Sequence, residues 1–127
     1  MYNGSSQPLI NPGAASGGEM QYKLNNNEYT NNIPSAINAG KYTIYYKVIG
    51  DKNHNDSAEK SLEVIINKAN VTIPTLSDNS KIYNRNSQSP TVNNRNANII
   101  GQSGTDSAIN AGSYTINWSL IDTDNYQ

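Results

Sequence analysis

The segment 50–56, GDKNHND, contains the residues whose types and spacing come nearest to a chemical site. Four oxygen-bearing side chains follow one another there as they do at the start of a calcium-binding loop: Asp51, Asn53, Asn55 and Asp56. A full EF-hand loop counted from Asp51 needs glycine and glutamate where this chain has Asp56 and Leu62. Because Asp and Asn are also favoured in turns, both a calcium site and an ordinary loop remain open.

The only histidine, His54, lies in the same segment, and the chain contains no cysteine. Nucleophilic catalysis needs a nucleophile, a base and a group that orients the base. No serine stands in a compelling arrangement with His54 to complete such a set. We therefore expect a protein that is not an enzyme and that has no cofactor, apart from the calcium considered above.

Tyrosine supplies nine of the ten aromatic residues, and two of the tyrosines are candidates for ligand binding. Tyr45 is expected on the outward face of a strand, and Tyr29 is expected near a loop. Exposed aromatic rings are platforms on which sugars stack, so the pair predicts a glycan-binding patch. Outward tyrosines also serve as cross-strand packing partners, and this second interpretation stays open.

These candidates are positioned by strands. KYTIYYKVI at 41–49 has an apolar side chain at every second position, and SYTINWSLI at 113–121 keeps this alternation. One buried face on each strand explains the alternation and predicts four aromatic residues in the core: Tyr42, Tyr46, Tyr114 and Trp118. EMQYKL and SLEVIINK are further strands, and no window has helical spacing of apolar residues, so the chain is predicted to be all-β.

The chain repeats itself. SAINAG occurs at 35–40 and again at 107–112, an offset of 72, whereas the Tyr-Asn pairs at Tyr2 and Tyr83 are offset by 81. The second copy is therefore nine residues shorter, and we expect the loss in the loop and strand around YKLNNNEYT. The repeat predicts two modules, 1–68 and 69–127, the first without an opening strand and the second without a closing strand. Unpaired edges of this kind favour self-association.

Composition limits the partners. The net charge is −1 and the basic residues are scattered singly, so nucleic acid is not expected. No stretch approaches the roughly 18 consecutive apolar residues that span a bilayer, so insertion into a membrane is not expected either. Without cysteine there is no disulfide to stabilise such small modules.

The segments YNG followed by QP, IPSAINAGKYTIYYKVIGDKNH and LEVIINKA resemble the tandem Ig-like repeats of large bacterial surface and secreted proteins, including MBG-type modules. The resemblance implies two tandem small antiparallel Ig-like β-sandwich modules. The alternative, a pair of β-grasp-like modules, would need a helix. Tyr42 and Tyr114, close after an Ala-Gly pair at the head of a strand, have the position of a tyrosine corner, whose hydroxyl bonds to the backbone a few residues upstream.

The same resemblance implies a location at the cell surface or outside the cell and a structural role as a spacer or stalk, with neighbouring repeats as partners. The alternatives are an adhesin-type module that binds a glycan or a host protein, and an accessory module of an enzyme. Some surface Ig-like domains carry a Lys–Asn isopeptide bond in a buried site, but no such pair can be singled out here.

Overall fold

The computed structural model describes residues 1–127 and is all-β. Its nine strands form four small antiparallel sheets, an arrangement consistent with β-sandwich modules. A β-grasp module requires a helix, and the chain contains none. The chain divides into two compact units, Met1–Ala69 and Asn70–Gln127, which we call unit 1 and unit 2.

Unit 1 is built on a three-stranded sheet. Its strands are β1 (Gln7–Pro8), β2 (Gly18–Leu24), β3 (Ser35–Ala36), β4 (Gly40–Gly50) and β5 (Lys60–Ile66). The order β2-β4-β5 places β4 in the centre with an antiparallel partner at each edge, and β1 pairs with β3. The long β4 follows from its alternating pattern of tyrosine, isoleucine and valine, which are good strand residues.

Unit 2 consists of two-stranded ribbons. Its strands are β6 (Thr75–Ser77), β7 (Thr91–Asn93), β8 (Ile100–Gly104) and β9 (Ile116–Leu120). β6 pairs with β7 and β8 pairs with β9, both antiparallel. By the repeat offsets, a counterpart of β6 in unit 1 and a counterpart of β5 in unit 2 would lie outside residues 1–127.

The core of unit 1 lies on one face of its sheet. Leu9, Ile44 and Ile66 are buried together, and Ile44 is completely inaccessible to solvent. Tyr42 packs against this cluster, as predicted, and Tyr46 is half-buried. Complete burial of a leucine or isoleucine side chain contributes about 1.5–3 kcal/mol, so this cluster makes a large favourable contribution to the folding of unit 1.

The core of unit 2 is thinner. Along β9, Ile116, Trp118 and Leu120 are half-buried while the residues between them are exposed, as the alternation predicts. Tyr114 departs from the prediction, because its side chain is 50% exposed and lies before the strand begins. The reason is local: Tyr42 lies opposite Val64 of β5, and no strand takes that place beside Tyr114.

Each unit contains the same set of hydrogen bonds, which begins at its first turn and which we call the shared frame. In unit 1 the Asn3 side chain accepts from the backbone N–H of Ser5 at 2.9 Å, and in unit 2 Asn84 accepts from Asn86 at 2.9 Å. The next two features recur at the two repeat offsets, 81 for the glutamine and the carbonyl it binds and 72 for the alanine. Gln7 pairs with Ala36 and donates to the Met1 carbonyl, and Gln88 pairs with Ala108 and donates to the Ile82 carbonyl.

The tyrosine hydroxyls complete the shared frame. The Tyr42 hydroxyl donates to the Asn38 carbonyl at 2.8 Å, and the Tyr114 hydroxyl donates to the Asn110 carbonyl at 2.9 Å. Both bonds span four residues upstream, which is the bond that the tyrosine-corner position predicts. The repeated sequence thus forms the same local structure twice.

The difference in length lies mainly in one loop. In unit 1 the ten residues 25–34 connect β2 to β3, whereas in unit 2 only Thr105 and Asp106 separate β8 from Ser107, the counterpart of Ser35. The strand itself is kept, because Gly104 lies opposite Ile116 as Leu24 lies opposite Ile44. Eight of the nine residues are therefore missing from the loop. β8 keeps the register of β2, although it has five residues where β2 has seven.

Candidate functional site: a tyrosine and lysine cluster

The outward face of the unit 1 sheet carries a cluster of aromatic and charged side chains. Because strand residues alternate between faces and Ile44 is buried, Tyr45 and Lys47 lie on the face opposite the core. The antiparallel register places Lys23 of β2 directly opposite Tyr45. Three residues from two adjacent strands therefore share one patch of surface.

The loop 25–34 adds a second tyrosine to this patch. Thr30 and Tyr22 exchange backbone hydrogen bonds of 2.8 and 2.9 Å, which fixes the loop beside β2. Tyr29 is thereby held near the lysines, and its hydroxyl donates to the carboxylate of Glu59, at the end of the β4–β5 loop. We call Lys23, Tyr29, Tyr45, Lys47 and Glu59 the tyrosine–lysine cluster.

The cluster is held by charge on aromatic rings. The Lys23 ammonium lies 4.9 Å from the ring centre of Tyr29 and 4.6 Å from that of Tyr45, and the Lys47 ammonium lies 4.5 Å from that of Tyr29. Lys23 also forms an ion pair of 3.2 Å with Glu59. Each cation–π contact at an exposed site contributes about 0.5–1 kcal/mol, so the rings and ammonium groups hold one another in place.

Two pKa values report on this arrangement. Partial burial, followed by the hydrogen bond to the Glu59 carboxylate, raises the pKa of Tyr29 from its ordinary 10 to about 12. The same hydrogen bond from Tyr29, followed by that from Lys23, lowers the pKa of Glu59 below its usual value. The hydroxyl therefore stays protonated and the carboxylate stays ionised at neutral pH.

The cluster contains two types of side chain that contact acidic sugars in proteins. Tyrosine rings offer flat apolar faces on which a sugar ring stacks, and the two ammonium groups offer charge for a carboxylate or sulfate. The structure brings the two predicted residues, Tyr29 and Tyr45, together in one site. Sequence reasoning missed Lys23, Lys47 and Glu59, although the spacing of Tyr45 and Lys47 two residues apart on one strand was an available signal.

The candidate calcium residues are engaged in the turns of their own loop. The Asp51 carboxylate accepts from the backbone N–H of Asn53 at 2.8 Å and lies 2.7 Å from the His54 ring, and Asp56 accepts from the backbone of Gly50 at 2.9 Å. The bond from His54, followed by that from Asn53, lowers the pKa of Asp51. No three acidic or histidine side chains come together as metal ligands, and Asn53 and Asn55 are exposed, so the structure adds no support for calcium.

The structure also adds no support for the two other candidate chemistries, catalysis by His54 and a Lys–Asn isopeptide bond. His54 is the side chain that packs against Gly17, where an added Cβ would lie only 2.7 Å from its ring. This contact gives His54 a place in the loop structure. The isopeptide alternative needs a buried lysine, and Asn125 is the one polar residue that is buried.

Comparisons of the chain with protein-family models, with curated proteins and with solved structures found no match. The structure contains no helix of the length and apolar character that would cross a membrane. Function is therefore inferred from the internal repeat and from the tyrosine–lysine cluster.

Proposed function

We propose that the chain is a non-catalytic structural spacer, a pair of tandem Ig-like β-sandwich modules in a surface or secreted bacterial protein. The observation that carries this proposal is the shared frame: the same hydrogen bonds recur in both units at the offsets of the sequence repeat. Repeated units that keep one backbone frame contribute length, and contacts between neighbours set the stiffness of the array. The partners are neighbouring repeats of the same chain, outside the cell.

The junction between the repeats supports a spacer. Segment 67–74 has no run of glycine and serine, and it contains Pro74, which restricts the backbone. A connection of this composition limits the reorientation of one unit relative to the next. The spacer proposal therefore requires restricted motion about this segment.

Backbone ¹⁵N relaxation on the intact chain tests the spacer proposal. We expect both units to tumble with one correlation time, and a variant with about six Gly-Ser residues inserted after Ala69 to give two shorter, separate correlation times. If the unmodified chain already behaves like the insertion variant, the stiff spacer is overturned.

A second function, recognition of a glycan or host protein by an adhesin-type module, is favoured by one observation. The Lys23 ammonium lies within 5 Å of the ring centres of both Tyr29 and Tyr45, the two residues expected to bind a sugar. Screening the intact chain against sulfated, sialylated and neutral glycans, with calcium and with chelator, tests it. Specific binding that is lost in Tyr45→Ala, and kept in Lys52→Ala as a matched exposed control, would support the recognition function. If no glycan on the panel binds, only the spacer function remains proposed.

The unpaired strand edges predict self-association through edge strands. Sedimentation of the intact chain at increasing concentration tests this separately from either function. A rise in average mass supports edge pairing, and a constant monomer mass contradicts it.

A further inference from the structure

The tyrosine–lysine cluster contains two ammonium groups, and only one of them is paired with a carboxylate. Lys23 lies 3.2 Å from the ionised carboxylate of Glu59, which neutralises its charge. The Lys47 ammonium forms no ion pair and no hydrogen bond, and the contact it makes is with the ring of Tyr29, 4.5 Å away. The positive charge that is left for an external anion therefore lies on Lys47.

The charge on Lys47 acts on the rest of the cluster only from a distance. The pKa of Glu59 is lowered first by the bond from Tyr29, then by Lys23, and last by the charge of Lys47. Lysine stems pack along a protein surface while the ammonium group stays in water. The half-buried Lys47 side chain can therefore present its charge to a ligand.

Tyr45 is the ring beside this charge. It lies two residues before Lys47 on the same outward face of β4, so the two Cα atoms are about 6.6 Å apart. The Tyr29 hydroxyl donates to Glu59, whereas the Tyr45 hydroxyl donates to no group of the protein. An aromatic ring, a free hydroxyl and an unpaired ammonium are therefore adjacent on one strand.

We propose that Tyr45 and Lys47 form the binding pair of the cluster, and that the ligand is a glycan with carboxylate-bearing sugars, such as a uronic or sialic acid. The sugar ring packs on Tyr45, and its carboxylate binds the Lys47 ammonium. Lys23, Tyr29 and Glu59 are positioning residues, which hold the ring and the charge in place. The inference rests on the proposed recognition function and deepens it, since it names the class of sugar and the residue that selects it.

The charge balance of the cluster favours a carboxylated sugar over a dense polyanion. Two ammonium groups and one carboxylate leave one positive charge, which one carboxylate per bound sugar matches. A heavily sulfated chain would need several unpaired cations, and Lys41, on the same face of β4, is already paired with Glu63 at 2.7 Å. The cluster also binds one carboxylate of its own, that of Glu59, through an ammonium and a tyrosine hydroxyl.

Unit 2 provides an internal control for the position of the ligand. The counterparts of Tyr45 and Lys47 are Asn117 and Ser119, which have neither a ring nor a charge. In ¹H–¹⁵N NMR spectra of the intact chain, a carboxylated glycan should shift the amide signals of Tyr45 and Lys47 and leave those of Asn117 and Ser119 unchanged. Equal shifts in the two units would overturn the proposal.

Two matched pairs of glycans test the requirement for a carboxylate. A hyaluronan oligosaccharide is compared with the same oligosaccharide after reduction of its carboxylates to alcohols, and sialyllactose is compared with lactose. The intact chain should bind at least one carboxylated glycan about tenfold more tightly than its neutral partner. The pair that responds identifies the source of the carboxylate, a uronic acid within a chain or a terminal sialic acid.

Substitutions then test which residue selects the carboxylate. Lys47→Gln should remove the difference between the two members of a pair, whereas Lys47→Arg keeps the charge and should keep the difference. Lys41→Gln removes a paired lysine from the same face and should change nothing. Glu59→Gln keeps an acceptor for the Tyr29 hydroxyl but frees Lys23, so it should tighten binding of the carboxylated glycan; unchanged or weaker binding would overturn the role given to Glu59.

The outcomes separate this inference from the recognition function. If no glycan binds, both are overturned. If the chain binds glycans but shows no preference for the carboxylate, or keeps that preference in Lys47→Gln, the inference is overturned and recognition stands. Tighter binding of heparin or of a polyglutamate peptide, unaffected by Lys47→Gln, would show a general attraction of polyanions and would overturn the inference as well.

Discussion

Unit 1 and unit 2 have the same hydrogen-bonded frame beside β4 and its counterpart β9, but the two faces of these strands have different surroundings. In unit 1 the core side is closed by β5 and the outward side carries the tyrosine–lysine cluster. In unit 2 the core side opens into a pocket. The frame thus recurs in both units, whereas the burial of the core side and the presence of the tyrosine–lysine cluster depend on neighbouring segments that differ between the units.

The outward faces differ residue by residue. The positions of Lys23, Tyr45 and Lys47 in the unit 1 register are held by small polar residues in unit 2, which are Ser103, Asn117 and Ser119. The loop that supplies Tyr29 is the one that unit 2 has in shortened form. The cluster is thus a feature of one repeat, and a binding assay that responds to it should respond to unit 1 alone.

The largest difference should appear when the central isoleucine is truncated. Ile44→Ala removes a fully buried side chain and should cost unit 1 about 2–5 kcal/mol, whereas Ile116→Ala removes a half-buried one and should cost unit 2 about 1 kcal/mol. Residue-resolved hydrogen exchange under denaturant measures both units in one chain. Equal costs would show that the unit 2 core is as well packed as that of unit 1.

Removing the tyrosine hydroxyls should change the stabilities of the two units by smaller and again unequal amounts. Tyr42→Phe should destabilise unit 1 by about 1 kcal/mol, since the hydroxyl bond of a half-buried ring is lost. Tyr114→Phe should cost clearly less, because the exposed ring leaves the Asn110 carbonyl free to bond with water. The same exchange experiment measures the two variants, and the reverse order would contradict the role given to β5.

Alkaline pH should weaken unit 1 through Tyr29. Its pKa is raised in the folded chain to about 12, so the stabilising contribution is complete below the ordinary pKa of 10 and is lost as the pH rises from about 10 to 12. Glu59→Gln should move the Tyr29 titration back towards 10, as followed by tyrosine ring NMR signals. A pKa near 10 for Tyr29 in the unchanged protein would show that neither its partial burial nor its bond to Glu59 holds in solution.

The smallest effect concerns the loop at Asp51. Its pKa is lowered by the bond from His54, so this contribution to stability is present above the unfolded-state pKa and is lost as the pH falls through the folded-state value. His54→Ala should shift the carboxyl titration of Asp51 upward, as measured by ¹³C NMR, and should leave unit 2 unchanged. An unaltered titration would mean that the backbone of Asn53 alone holds this carboxylate.

The sequence predicted those features that depend on near neighbours along the chain. Alternation along one strand was enough to place Ile44 in the core and Asn117 outside it, and the position of Tyr42 predicted its hydroxyl bond. Burial of Tyr114 was wrongly predicted because it depends on whether another strand lies beside it. Lys23 was missed because its meeting with Tyr29 depends on both strand register and the conformation of a ten-residue loop.

The loop 25–34 has a consequence for how an array of such repeats could evolve. Because the loop ends where the shared frame resumes, eight residues can be gained or lost there while the hydrogen bonds of the frame are kept. A repeat that carries the loop and the tyrosine–lysine cluster can therefore be exchanged for one that lacks them without changing the frame. In a longer array, the number of repeats without the loop between two repeats that have it would set the distance between tyrosine–lysine clusters, and hence, under the proposed recognition function, the spacing at which several clusters bind one surface.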